Sequence, residues 1–194
     1  MTFPLHKITP LILTYNEEPN IDRTLSKLTW ASQILIIDSF SSDRTLEIVK
    51  TYPQTKILQR KFDTFADQCN FGLTHINTEW VLSLDADYCL SEKFISRLNQ
   101  LIQNININGY KVPLSYCVFG QPLTGTILPP RIVLYRQAQA IYKNDGHAHR
   151  VMIQGQVSDI QDVIYHDDRK PLSRWLWAQD RYLKIEAEKL STTP

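Results

Sequence analysis

Two carboxylates stand two residues apart in Asp85-Ala86-Asp87, directly after the apolar run over 80–84. A lone Asp-x-Asp is common in ordinary turns and helix caps, so the spacing alone says little. Its company says more. Two other apolar runs end in polar clusters, Thr14-Tyr15-Asn16-Glu17 and Asp38 followed by Ser39-Phe40-Ser41-Ser42-Asp43. In a parallel sheet, ligands gather where strands end and helices begin. Three such ends side by side would make one acidic crevice. Carboxylates hold phosphates poorly by themselves, but Mg²⁺ or Mn²⁺ prefers oxygen ligands and bridges carboxylates to phosphoryl oxygens. The chain has six glycines and neither G-x-G-x-x-G nor G-x-x-x-x-G-K-[ST], which disfavours dinucleotide enzymes and P-loop NTPases. It also lacks the G-x-S-x-G elbow of an α/β-hydrolase.

The elements that must position these residues alternate. Strands are expected over 8–14, 33–38, 56–58 and 80–84. The second contains Ile34-Leu35-Ile36-Ile37, the unbroken apolar stretch of a strand buried on both faces. Helical patterns fall between them. Ile21, Leu25 and Leu28 recur at i, i+4 and i+7, with Asn16 as cap and Pro19 in the first turn. Leu46 and Val49 face inward in a helix opened by the loop 39–43 and stopped by Tyr52-Pro53. Phe65, Cys69, Leu73 and Ile76 mark a third apolar helical face, and Ser91 caps a fourth helix carrying Phe94, Leu98 and Leu101. Four strand–helix repeats of this length predict a doubly wound α/β sheet.

After Gly109 the pattern changes. Stretches 110–119 and 127–136 are β-rich, separated by Gly120, Pro122, Gly125, Pro129 and Pro130. Shorter strands are expected over 148–154 and 163–166. A closing helix over 172–190 gathers Leu172, Trp175, Leu176, Gln179, Tyr182 and Leu183 on one side, and the spacing of Trp175 and Tyr182 reads first as core packing.

Composition bounds the rest. A length of 194 residues suits one domain with a real core, and 43% of the residues are hydrophobic. The 21 basic and 20 acidic side chains nearly cancel, which rules out an electrostatic nucleic-acid binder. The cancellation hides an asymmetry. Residues 1–100 carry 10 Lys and Arg against 12 Asp and Glu, net −2, while residues 101–194 carry 11 against 8, net +3. No apolar run approaches the roughly 20 residues of a membrane span, and the first residues lack a signal peptide's pattern. Cys69, Cys89 and Cys117 match no metal or redox spacing and read as reduced thiols of a cytoplasmic protein.

Three segments together resemble the signatures of family 2 glycosyltransferases, in that family's order and spacing. They are Thr14-Tyr15-Asn16-Glu17-Glu18, Ile36-Ile37-Asp38-Ser39 with Ser41-Ser42-Asp43-Arg44-Thr45, and Leu84-Asp85-Ala86-Asp87. Phe65-Ala66-Asp67-Gln68-Cys69-Asn70-Phe71 and Asp145-Gly146-His147 are similar to the bacterial lipopolysaccharide-core β-glucosyltransferase branch. The resemblance covers roughly residues 8–166. It implies a GT-A fold: a Rossmann-like, mostly parallel twisted sheet with flanking helices, here with a β-rich acceptor part and a C-terminal amphipathic helix. One domain would span 1–194, with 1–109 binding the nucleotide sugar and 110–194 facing the acceptor.

The implied activity is an inverting, metal-dependent transfer of a hexose from a nucleoside-diphosphate sugar, a UDP-sugar first among them. The acceptor would be a saccharide or lipid-linked saccharide of the cell envelope, met at the inner face of the membrane. By position, Thr14, Asn16 and Glu17 would line the nucleoside pocket, and Asp38 would hydrogen-bond the base. Gln68 and Asn70 would lie near the ribose or diphosphate, and Asp85 near ribose or sugar. Asp87 would bind a divalent cation, Mn²⁺ or Mg²⁺, and His166 would complete that site, since a neutral imidazole is a competent ligand. Two departures from the family pattern stand out. Leu13 replaces a common Pro, and Arg150 stands where many relatives carry Glu after the histidine at position 149.

An inverting transfer needs a base on the acceptor hydroxyl and positive charge on the leaving diphosphate. Asp145 is the favoured base, with His147, His149, Asp167 and Asp168 as neighbours, although Asn144-Asp145-Gly146 is also a good turn. Arg131, Arg136 and Arg150 suit phosphate or an anionic acceptor but read more simply as solvated edge residues. Arg169, Lys170, Arg174 and Arg181 would meet an anionic lipid-linked acceptor through peripheral membrane contact. Two alternatives stay open: a nucleotidyltransferase, which normally needs a basic Gly-rich segment that 11–20 lacks, and a non-catalytic or truncated nucleotide-sugar-binding module.

Overall fold

The computed structural model describes residues 4–125, 128–145 and 148–192. The first half alternates as expected: β1 (Ile8–Thr14), α1 (Ile21–Ser26), β2 (Ile34–Asp38), α2 (Thr45–Val49), β3 (Thr55–Gln59), α3 (Phe65–Leu73) and β4 (Trp80–Asp85). It continues with β5 (Tyr88–Leu90), α4 (Glu92–Leu101) and β6 (Gly109–Val112). The second half is β-rich: β7 (Leu114–Val118), β8 (Gln121–Pro122), β9 (Arg131–Arg136), β10 (Ala140–Asp145), β11 (Ala148–Ile153), β12 (Val157–Asp159) and β13 (Ile164–His166). Helix α5 (Leu172–Thr192) closes the series.

Among the described residues, seven strands form one mixed sheet in the order β12-β6-β9-β4-β1-β2-β3. β1 lies parallel between β2 and β4, and the register pairs Thr14 with Asp38 and Leu13 with Asp85. The polar ends of all three strands therefore emerge at one edge. Helices cover both faces, as a parallel sheet requires. Ile8, Ile12, Ile34 and Ile36 pack with Ile21, Leu25, Phe94 and Leu98 on one side. Leu11, Leu35 and Ile37 pack with Ala66, Cys69 and Leu73 of α3 on the other. Each fully buried aliphatic side chain contributes about 1.5–3 kcal/mol. Gly72 sets the approach of α3, because a Cβ there would stand 2.6 Å from Leu11 Cδ1.

Several expectations need correction. The cap of α1 falls at Asn20, not Asn16: Asn20 and Ile21 both donate to the Glu17 carbonyl, so residues 17–20 form a turn ahead of the helix. The β-rich stretch 110–119 is two strands in two sheets. Pro113 has no N–H to continue a ladder, and the break sends β6 to the large sheet and β7 to a second sheet of order β5-β13-β7-β8. Asn144 and Asp145 are the last residues of β10, and Asp145 pairs with Ala148 at the end of the antiparallel hairpin with β11. β9 is not an edge strand, since it sits between β4 and β6. On α5, Leu172 and Leu183 are each 70% exposed, so the leucine side of that helix is not core. The three cysteines are free, as their spacing predicts. Residues 126–127 and 146–147, among them Ile127, Gly146 and His147 of the expected elements, fall outside the described residues.

Candidate active site

Asp38, at the end of β2, is wholly buried and fully engaged. Its carboxylate accepts hydrogen bonds from Thr14 Oγ1 at 2.9 Å, Ser41 N at 3.0 Å, Ser41 Oγ at 2.5 Å and Gln59 Nε2 at 3.2 Å. It thus fixes the loop 39–43 against the ends of three strands. Asn16 joins that loop from β1 in a left-handed backbone conformation, φ 55°, and its side chain accepts from Ser42 N at 2.8 Å. Gln68 reaches the same loop from α3, donating to Ser39 Oγ at 3.0 Å. Thr14, Asn16, Asp38 and Gln68 are therefore one connected set. Tyr15 and Phe40 stand exposed beside it.

The acidic pair on β4 divides. Asp85 faces an open side of the crevice, its side chain 47% exposed, 3.5 Å from Arg131 Nη1. Enclosure works against its charge, but Arg131, His149, His166 and a hydrogen bond from Tyr88 outweigh it, and the carboxyl lies below its ordinary range. Asp87 turns inward to His166 on β13, with Oδ2 3.0 Å from Nε2. The imidazole is held between Tyr88 and Tyr116, at centroid distances of 5.4 and 4.7 Å. Burial opposes its charge, yet the hydrogen bond and charge of Asp87 prevail and raise its pKa. The turn between the two aspartates is tied to α1 by Thr24 Oγ1, which donates to the Ala86 carbonyl at 2.7 Å.

A strap over 167–170 closes this end of the site. Asp167 N donates to the Asp87 carbonyl at 3.1 Å. Arg23 and Arg169 both donate to the Asp167 carboxylate, and Asn20 donates to Asp168 at 2.8 Å. Lys170 pairs with Glu17, bringing a cation into the acidic crevice. Burial, with the nearby Asp87 charge, pushes the Glu17 carboxyl up to about 7 against the opposing pull of Lys170.

Asn70 does something different. Its amide donates to the Tyr142 carbonyl at 3.0 Å and accepts from Tyr142 N at 2.9 Å, clamping β10 to α3. That clamp holds the hairpin whose end carries Asp145, and Asp145 is ion-paired across it with Arg150. Two site residues differ from their sequence reading: Arg131, read as a solvated edge residue, stands beside Asp85, and Lys170, read as a contact for an anionic acceptor, is paired with Glu17. Neither has a local signal: Arg131 arrives because β9 is inserted beside β4, and Lys170 because the strap folds back over α1. A cavity of about 230 Å³ lined by Cys89, Cys117, Gly120, Pro122, Tyr165 and Asp167 adjoins the strap through Asp167.

The family model described as Glycosyl transferase family 2 matches residues 11–160, three quarters of the chain and all three strand ends. The chain belongs to that family of glycosyltransferases. Among its relatives is the lipopolysaccharide core biosynthesis glycosyltransferase LpsC of Rhizobium meliloti (strain 1021). It is 25% identical over 194 residues, covering 95% of this chain and 72% of that protein. An uncharacterized glycosyltransferase of Rickettsia typhi is 27% identical over 107 residues, or 55% of this chain and 36% of the relative. The chain thus spans about a third of the length of the first relatives it matches. Staphylococcus aureus TarS 1–349 in complex with UDP-GlcNAc has the same fold, with a TM-score of 0.65 and 16% identity over 84% of this chain and 59% of that one. The mannosyltransferase PcManGT from Pyrobaculum calidifontis, in complex with GDP-Man and Mn²⁺, also has a TM-score of 0.65 at 15% identity, covering 97% and 65%. Both are GT-A glycosyltransferase folds, which fixes the fold class of this chain. Among the described residues, no helix is long and apolar enough to cross a membrane.

Proposed function

We propose that the chain carries out an inverting, divalent-cation-dependent transfer of a hexose from a nucleoside-diphosphate sugar, a UDP-sugar in the first instance, to a saccharide or lipid-linked saccharide of the cell envelope. The observation that carries this reading is the Asp87–His166 pair at the end of β4. Asp87 Oδ1 and His166 Nδ1 are buried without a hydrogen-bond partner, an unusual cost for two polar atoms in one place. Among the described residues, no three His, Cys, Asp or Glu side chains are grouped to hold a metal by themselves. One carboxylate and one imidazole suit Mn²⁺ or Mg²⁺, which take their remaining ligands from water and substrate phosphates. When bound, the cation neutralises charge on the departing diphosphate.

The protein's own groups then have distinct tasks. Thr14, Asn16, Glu17, Asp38 and Gln68 shape the nucleoside end, residues 1–109 supplying most of the donor site. Tyr88 and Arg131 orient Asp85 toward the ribose or the transferred sugar. Asn70 serves the site indirectly by fixing β10. On the acceptor side, formed by residues 110–194, Asp145 takes the proton of the attacking hydroxyl. The new bond joins that oxygen to the anomeric carbon, and the bond from that carbon to the diphosphate oxygen breaks on the opposite face. Asp145 is ion-paired with Arg150 across the hairpin, which holds its carboxylate ionised and ready to accept a proton.

The test is turnover of UDP-glucose, UDP-N-acetylglucosamine, UDP-galactose and GDP-mannose with Mn²⁺, read as nucleoside-diphosphate release. Wild type is expected to release it from one of these donors, and Asp87→Ala to lose on the order of 100-fold or more. Equal release by both proteins contradicts the site. Tight binding with no release favours a non-catalytic nucleotide-sugar-binding module.

A further inference from the structure

Helix α3 begins with a residue out of place. Phe65 heads an apolar face whose other members, Cys69 and Leu73, are buried, yet Phe65 is 37% exposed. Phe62, three residues earlier, is 46% exposed. The two rings meet edge to face with centroids 5.1 Å apart, and Phe65 stacks on His149 of β11 at 5.4 Å and an interplanar angle of 27°. His149 lies 5.4 Å from Tyr142. That tyrosine is buried, hydrogen-bonded through its hydroxyl to Ser83 and Tyr135 and through its backbone to Asn70. The row Phe62–Phe65–His149 is therefore anchored to the core at one end and open to solvent at the other.

The row is continuous with the donor crevice. Burial holds the His149 imidazole below its ordinary pKa, with Asp85 opposing and Arg131 adding to that effect, so it carries a neutral ring beside the two site residues. Fixed ion pairs adjoin both ends of the row. Arg60 grips Asp63 with two guanidinium nitrogens, at 2.7 and 2.5 Å, next to Phe62 in the chain. Asp145 and Arg150 pair on the strands that carry His149. Aromatic faces fringed by planar carboxylate and guanidinium groups match the two surfaces of a sugar ring. The apolar C–H face lies on the aromatic ring, and the equatorial hydroxyls meet the charged groups.

We propose that Phe62, Phe65 and His149 form the subsite that stacks a pyranose ring of the acceptor, next to the transferred sugar. The inference rests on the glycosyl-transfer reading above for its geometry, but it is tested separately. Methyl glucosides, methyl galactosides, methyl mannosides and glucosamine serve as probes, with binding read from the side-chain NMR signals of Phe62 and Phe65. Titrations run with and without UDP and Mn²⁺. At least one pyranoside is expected to shift both rings. Phe62→Ala and Phe65→Ala are expected to weaken that pyranoside about three- to tenfold, leave UDP affinity unchanged and keep the wild-type Tm, while Phe65→Trp retains binding. The proposal is overturned if no pyranoside shifts the rings, or if the alanine variants bind it as wild type does. A parallel loss of UDP affinity also overturns it, because the row would then serve the donor. Failure of wild type to bind UDP while a pyranoside still shifts the rings counts against the donor reading alone.

Discussion

Arg131 and Asp85 show how one contact sets the character of the crevice. With several acidic groups converging, the guanidinium 3.5 Å from Asp85 keeps that carboxyl ionised and limits the repulsion between it and an incoming diphosphate. Arg131→Met is expected to lower nucleoside-diphosphate release on the order of 100-fold while the protein stays folded, as steady-state kinetics beside a thermal melt will check. Glu17 acts in the opposite sense. Its folded-state pKa stands above the ordinary value, so its favourable contribution is complete below pH 4.5 and is lost as pH rises through about 7. Stability of wild type should therefore fall across that window. Glu17→Gln, which cannot ionise, should flatten that part of the curve in denaturant titrations at stepped pH.

Elements deliver these residues, and the helix–hairpin junction is the critical one. β10 presents an outer backbone edge to α3, and the Asn70 amide completes it as a neighbouring strand would. Asn70→Ala leaves that edge unpaired and is expected to cost about 1–3 kcal/mol in chemical denaturation. Donor binding should change little in that variant, whereas transfer to acceptor should fall, because Asp145 and His149 ride on the hairpin. The same junction marks the limit of what sequence can tell. β1, β2 and β4 were legible because each is an apolar run with a polar end, and their register then makes the crevice. β5 and β10 were not, being short or polar strands whose pairing is entirely long-range. Pro113 interrupts the β-rich stretch after Gly109, and the consequence, two strands in two sheets, depends on partners distant in the chain. Phe65 fits the helical period and still lies outside the core, half-exposed with its ring stacked on His149 of β11. The leucines of α5 make the same point, for amphipathic spacing predicts a face and not what covers it.

At the scale of the whole molecule, the near-zero net charge conceals a division of labour. The acidic first half gathers its carboxylates at one sheet edge. The basic second half sends Arg131 and Lys170 into that edge from β9 and from the strap after β13. The site is therefore assembled from both halves, and a ligand that bridges them stabilises the fold by linkage. UDP with Mn²⁺ should raise the wild-type Tm by several degrees, and either component alone should do less. The most direct measurement is electron paramagnetic resonance of Mn²⁺ titrated into the protein in the presence of UDP. The account predicts that wild type removes the free-ion signal with one bound Mn²⁺ per chain, and that Asp87→Ala and His166→Ala leave the signal of free Mn²⁺. Equal Mn²⁺ uptake by wild type and both variants would contradict the assignment of the cation to the end of β4, and with it the proposed donor site.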